Sequence, residues 1–218
     1  MSQSLRLFVL LVGISSPTFD VKVTIDHNPN NAANRDFKFK HVPSPLKDDA
    51  AAKAKLVLVD GDLDANGADL VAVTDGVLPT DRDEPAANFF FNAGTNGGRF
   101  RFEFATAIDV AQVNTYSWHP GSRGPQVYKL YGSDGLDPKF NVNPARTVDP
   151  AAVGWTLIGS VNTITTNGLS GGQYAVSITN ASGSLGKYRH LLFDCYVTEM
   201  NDDFGNTFYS EIDVVEKK

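Results

Sequence analysis

The stretch GRFRFEFA alternates Phe100, Phe102 and Phe104 with Arg99, Arg101 and Glu103. Successive side chains of an extended chain point to opposite faces, so this period of two calls for a half-buried strand. DVKVTID repeats the pattern with Val21, Val23 and Ile25, and DFKFKH with Phe37 and Phe39. Further strand-like runs are KLVLVD, NFFFN, VNTYSW, QVYKLYG, WTLIGSV, QYAVSIT, RHLLFDCYV and YSEIDVVE, separated by Gly, Asn, Asp and Pro. These predict about ten strands. The best helical candidate, DDAAAKAK from Asp48 to Lys55, is short and has no apolar stripe. Each half-buried sheet must cover its apolar face with another, so the pattern predicts an all-β, antiparallel β-sandwich. No fixed-period repeat points to a propeller or solenoid.

The chain has 218 residues, of which 42% are apolar and 11% aromatic, enough for one full core. A single domain over 20–218 is expected, with Asp20 to Asp60 adding strands or wrapping the core, and DLDANGAD forming a loop within it. The net charge is −6 with no Lys/Arg run. Nucleic acid and anionic lipid are therefore not expected partners. Cys195 is the only cysteine, which excludes an intrachain disulfide and a cysteine-built metal site. It alternates with Leu191, Phe193 and Val197, as a buried core thiol would. Residues 1–19 place Arg6 before the apolar run Leu7 to Ile14, then small residues and a proline. That is the layout of a secretory signal, without the A-x-A cleavage box; the alternative is a buried first strand from Leu5 to Val12. A secreted, extracellular or periplasmic protein is expected. No apolar run approaches the roughly 18 residues of a membrane span, so membrane insertion is not expected.

Three further pieces carry a family likeness. TDGVLPT has an Asp-Gly with a threonine five residues after the aspartate, VYKLYGSDG precedes a strand opening GWTLIGSV, and the C-terminus carries YSEIDVVE. This order resembles the galactose-binding-like jelly rolls, which include discoidin (coagulation factor type C) domains and family 32 carbohydrate-binding modules. The resemblance covers roughly Leu70 to Glu216 and implies a jelly-roll sandwich with an N-terminal extension. It also implies a structural calcium ion held by Asp75, by oxygens around Thr80 and by Glu211. Hard oxygen ligands suit that ion. The family tryptophan after the threonine is missing, because the chain reads DRDEPAANFFF. Asp81, Asp83 or Glu84 are thus either extra ligands or solvated charges. A competing motif, Asp62, Asp64, Asn66 and Gly67, opens like an EF-hand loop, but its twelfth position is Val73, so a turn satisfying its own backbone is expected.

The resemblance also implies ligand-binding loops, one of them after VNTYSW. There Trp118, His119 and Arg123 supply an aromatic face and fixed donors of the kind a sugar needs. Trp118 is in register with Asn114 and Tyr116 and reads equally as core. His119 before Pro120 also reads as a strand end. His27, His41 and His190 read as structural, while Phe204 and Tyr209 are further loop aromatics. No nucleophile elbow, zinc-protease helix or phosphate loop is present. The expected function is a non-catalytic carbohydrate-binding module with bound calcium. The alternatives are an adhesive or structural protein that binds a protein surface, and a glycan hydrolase built on paired carboxylates.

Overall fold

The computed structural model describes residues 20–201 and 204–218. The signal-like segment 1–19 lies outside the described residues. The strands are β1 (Val21–Pro29), β2 (Lys55–Asp60), β3 (Gly98–His119), β4 (Val127–Ser133), β5 (Thr156–Asn162), β6 (Gly172–Asn180), β7 (Gly186–Cys195) and β8 (Tyr209–Glu216). Every pairing is antiparallel. GRFRFEFA and VNTYSW, which read as two strands, are the two halves of the 22-residue β3. Its first half pairs with β2 and β7, and its second half with β6 and β8. One sheet therefore runs β2-β3-β7-β4-β5 and the other β1-β6-β3-β8. A strand can change sheets in this way only by bending, and β3 shifts register between Glu103 and Ile108 and again between Val110 and Gln112.

The alternating residues fill the space between the sheets. Phe100, Phe102, Leu130 and Phe193 come from the first sheet, and Val113, Val176, Ile178, Ile212 and Val214 from the second, all within one buried cluster. Phe100 and Phe193 stack at 5.0 Å. Burial of each such side chain is worth roughly 1.5–3 kcal/mol. Cys195 belongs to this cluster, and burial pushes its thiol up to about 12.

The N-terminal extension both adds a strand, β1 against β6, and wraps the outer face of the second sheet. DFKFKH is not a strand. Its half-buried phenylalanines alternate with exposed lysines, but the backbone is irregular and packs without pairing. Phe39 packs against Val42, Tyr116 and Ala175 on the outer face. Asp26 of β1 fastens the segment, accepting from the His41 and Val42 amides at 2.5 and 2.9 Å and pairing with His41 Nδ1 at 2.7 Å. NFFFN forms only isolated bridges, Leu63 with Phe91 and Phe89 with Tyr209. The helical candidate shrinks to the single 3-10 turn Ala51–Lys53. No helix among the described residues is long and apolar enough to cross a membrane.

Candidate functional site

β3 ends at His119, and the chain turns over Pro120 to Gly124 before β4. The turn is fixed from several sides. Gly121 N donates to His119 Nδ1 at 3.0 Å, Gly124 N to Gly121 O at 3.0 Å, and Ser117 Oγ to Gly124 O at 2.6 Å. The Thr198 hydroxyl donates to Ser122 O, and Phe208 N to Arg123 O at 2.9 Å. Gly171 lies so close beneath that a Cβ there would sit 1.9 Å from Pro120 O, which requires glycine at this position.

This turn forms one wall of an open hollow of about 560 Å³. His119, Ser122 and Arg123 face Asp64, Asn66 and Asp83, with Phe90, Phe204 and Phe208 between them. Phe90 and Phe208 stack at 4.0 Å with 19° between their planes. The Arg123 guanidinium carbon lies 5.0–5.1 Å from the ring centres of Phe90, Phe204 and Phe208, and its Nε donates to Phe204 O at 2.9 Å. Cation–π contact and this hydrogen bond hold the guanidinium in place. Phe204 remains 52% exposed and offers a ring to the hollow. His119 meets the Phe208 ring edge-on at 4.8 Å. Burial keeps its imidazole below the ordinary histidine range, against the opposing field of Asp83.

The structure thus brings His119 and Arg123 to one hollow, and leaves Trp118 out of it. Trp118 points from the opposite face of β3, is 5% exposed, and packs beside Phe39, Leu78, Tyr116 and Tyr174. Period two dictates this: neighbours on a strand face apart. The other readings divide in the same way. The EF-hand-like turn satisfies itself, with Asp64 Oδ1 accepting from Asn66 N and Nδ2 at 2.9 and 3.0 Å, yet it also lines the hollow. His27 stacks on Tyr174 at 4.2 Å, and His190 packs against Phe140 at 5.2 Å. Tyr209 is core, while Phe204 is in the site. Phe90 and Phe208 went unread as site residues. Their signal was present in NFFFN and FY, where a ring between or beside core aromatics must face the other way.

Glu211 and Asp75 lie at a second seam, where the turn after Leu70–Thr74 meets β8. Glu211 is 0% exposed; its Oε2 accepts from Gly76 N at 2.8 Å, but its buried Oε1 has no hydrogen-bond partner among the described residues. Burial first, then the charges of Asp213 and Asp75, push its carboxyl up to about 9. A buried carboxylate with an orphaned oxygen is costly, and an oxygen-seeking cation would satisfy it. Asp75 Oδ1 accepts from Val77 N at 2.8 Å. Thr80 spends its amide and hydroxyl protons on Glu84 Oε2, at 2.7 and 3.3 Å, which leaves its oxygens as acceptors. Asp81 N also donates to Glu84, and Asp83 faces the hollow. Among the described residues no three His, Cys, Asp or Glu side chains cluster as a metal site, so a cation at this seam would need backbone oxygens as well.

The architecture is that of the galactose-binding-like β-sandwiches. CBM32-3, from a family 31 glycoside hydrolase of Clostridium perfringens, superposes with a TM-score of 0.50 at 14% identity, over 80% of this chain and 96% of that one. A mutant lectin binding domain of lectinolysin, solved with Lewis b, superposes with a TM-score of 0.50 at 10% identity, over 80% of this chain and 99% of that one. No family model matches the sequence, and no curated protein matches it.

Proposed function

We propose that the chain is a non-catalytic, extracellular carbohydrate-binding module whose sugar site is the hollow beside β3, stapled by one structural calcium ion. The observation that carries the reading is Arg123, held over a stacked phenylalanine pair inside a concave site with an exposed ring beside it. A pyranose presents hydroxyls at its rim and C–H groups on its faces. Arg123 and His119 donate to hydroxyls, Asp64, Asn66 and Asp83 accept from them, and Phe204 receives the C–H face. Because the donors are held before the ligand arrives, little ordering entropy opposes binding. The fold neighbours, a carbohydrate-binding module and a lectin domain, point the same way.

Asp75 and Glu211, with oxygens around Thr80, are the residues that would hold calcium. The ion would supply positive charge to a buried carboxylate and tie the Asp75 turn to β8. Extracellular modules bind calcium at about 10⁻⁴–10⁻³ M, which suits export. A glycan array followed by calorimetry tests the function. The expected result is binding to at least one glycan with no release of reducing ends, weakened roughly tenfold by His119→Ala. Binding to a protein surface but to no glycan would make the chain an adhesin, and release of reducing ends a hydrolase.

A further inference from the structure

The charge inside the hollow is uneven. Among the described residues two carboxylates, Asp64 and Asp83, line it together with one guanidinium, Arg123, and His119 is held towards its neutral form by burial. Arg123 is already committed to the Phe204 carbonyl and to three aromatic rings. Neither carboxylate is neutralised by it. Asp64 uses Oδ1 for its own turn, and among the described residues its Oδ2 has no hydrogen bond. Asp83 forms no hydrogen bond or ion pair among the described residues, and its field reaches His119 across the site. The backbone places both aspartates firmly. Asp64 N donates to Phe90 O at 3.2 Å, and Asp83 lies in the turn whose Glu84 accepts from the Thr80 and Asp81 amides.

We propose that the preferred ligand of this hollow is a glycan with a free amino group, a hexosamine whose ammonium sits between Asp64 and Asp83 while its ring hydroxyls meet Arg123 and His119. The inference rests on the carbohydrate-binding reading and narrows it. A hydroxyl gives a carboxylate a hydrogen bond assisted by the acceptor's charge alone, whereas an ammonium brings a full opposite charge and adds Coulombic attraction to the hydrogen bond. N-acetylation removes that charge. A uronic or sialic acid brings a third carboxylate to a site that already has an excess of negative charge, and is disfavoured. Because Asp83 is exposed, solvent screens the attraction, so the expected preference is roughly tenfold.

Calorimetry on the full chain with calcium present tests this with four probes: a glucosamine oligomer, its fully N-acetylated counterpart of equal length, galactose and glucuronate. The glucosamine oligomer should bind roughly tenfold more tightly than the N-acetylated one, and glucuronate most weakly. Asp83→Asn should lower binding of the free amine roughly tenfold more than that of the N-acetylated oligomer, with an unchanged melting temperature as the check on folding. Raising the pH above the amine's pKa should erase the preference, because the neutral amine carries no charge to pair with the carboxylates. Equal binding of the amine and its N-acetylated form, or an equal effect of Asp83→Asn on both, overturns the inference. Galactose or N-acetylated oligomer bound through Arg123 without an amine preference leaves the carbohydrate-binding reading standing and removes only this one. A chain that binds none of the four probes and no arrayed glycan loses both.

Discussion

The hollow and the Glu211 seam both draw on the second half of β3 and its neighbours, yet they treat polar groups in opposite ways. In the hollow, Arg123 and His119 are half-buried, already hydrogen-bonded, and open to solvent on one side. At the seam, Glu211 is fully buried and one of its oxygens has no partner among the described residues. The difference separates two kinds of binding. An open, satisfied site can stay empty without cost and exchange its ligand, whereas a closed, unsatisfied one favours a permanent occupant. The same distinction decides which perturbations should harm folding and which should harm recognition.

The largest effect is expected at the seam. Without metal, the raised Glu211 carboxyl keeps its proton in the folded chain to about pH 9, while the unfolded chain releases it near 4.5. The contribution of Glu211 to the stripped protein's stability is then fully present below about pH 4.5 and is lost as pH rises towards 9. Calcium would oppose that fall by stabilising the ionised form. Thermal melts with calcium and with EDTA should therefore diverge from pH 5 to pH 8. A hundredfold excess over Kd adds about 2.7 kcal/mol, roughly 5–10 °C for a domain of this size. Identical melts at every pH, unchanged by Asp75→Ala, would remove calcium from the account.

Next in size is Arg123→Ala. In sequence Arg123 stands between Ser122 and Gly124, a turn-tip setting in which its loss would touch binding only. The structure seats it against Phe90, Phe204 and Phe208, so the substitution should act on both sides of the comparison. Glycan affinity should fall by a charge-assisted hydrogen bond, about 1.5–3 kcal/mol or at least tenfold. Melting should show a loss of about 0.5–2 kcal/mol from the cation–π contacts. Arg123→Lys should recover part of the stability and little of the affinity, because a point charge lacks the planar fork. Full affinity in the alanine variant would place the sugar site elsewhere.

The sandwich was legible because period two is a local signal that burial enforces. β3 was not legible as one strand, because its inward residues are Phe100, Phe102 and Phe104 before the bend and Val113 and Thr115 after it. The phase reversal, made by the two register shifts, reads as a strand boundary when only the sequence is in view. DFKFKH failed for the converse reason: alternation reports one covered face, and an unpaired chain lying on a sheet has one too. In the site, residues adjacent in sequence could be found, such as His119 and Arg123. Asp64, Asp83, Phe90 and Phe208 arrive from four separate segments, and no spacing rule joins them. Trp118 is where the two kinds of information part, since proximity in sequence puts it with His119 and strand geometry puts it on the other face.

That parting supplies the smallest expected effect and the sharpest separation of recognition from structure. Trp118→Phe should leave glycan affinity within about twofold, because the ring lines a small pocket under Phe39 and Leu78 and not the hollow. Its stability cost should also be slight. The indole Nε1 is buried without a hydrogen-bond partner among the described residues, so replacing it removes an unsatisfied donor while most of the aromatic packing is kept. The smaller ring leaves some space behind, and the two contributions oppose each other to within about 1 kcal/mol. Calorimetry and a melt on the same preparation measure both quantities. A tenfold loss of affinity with an unchanged melt would mean that the outer face of β3 reaches the ligand after all, and that the hollow is only part of the site.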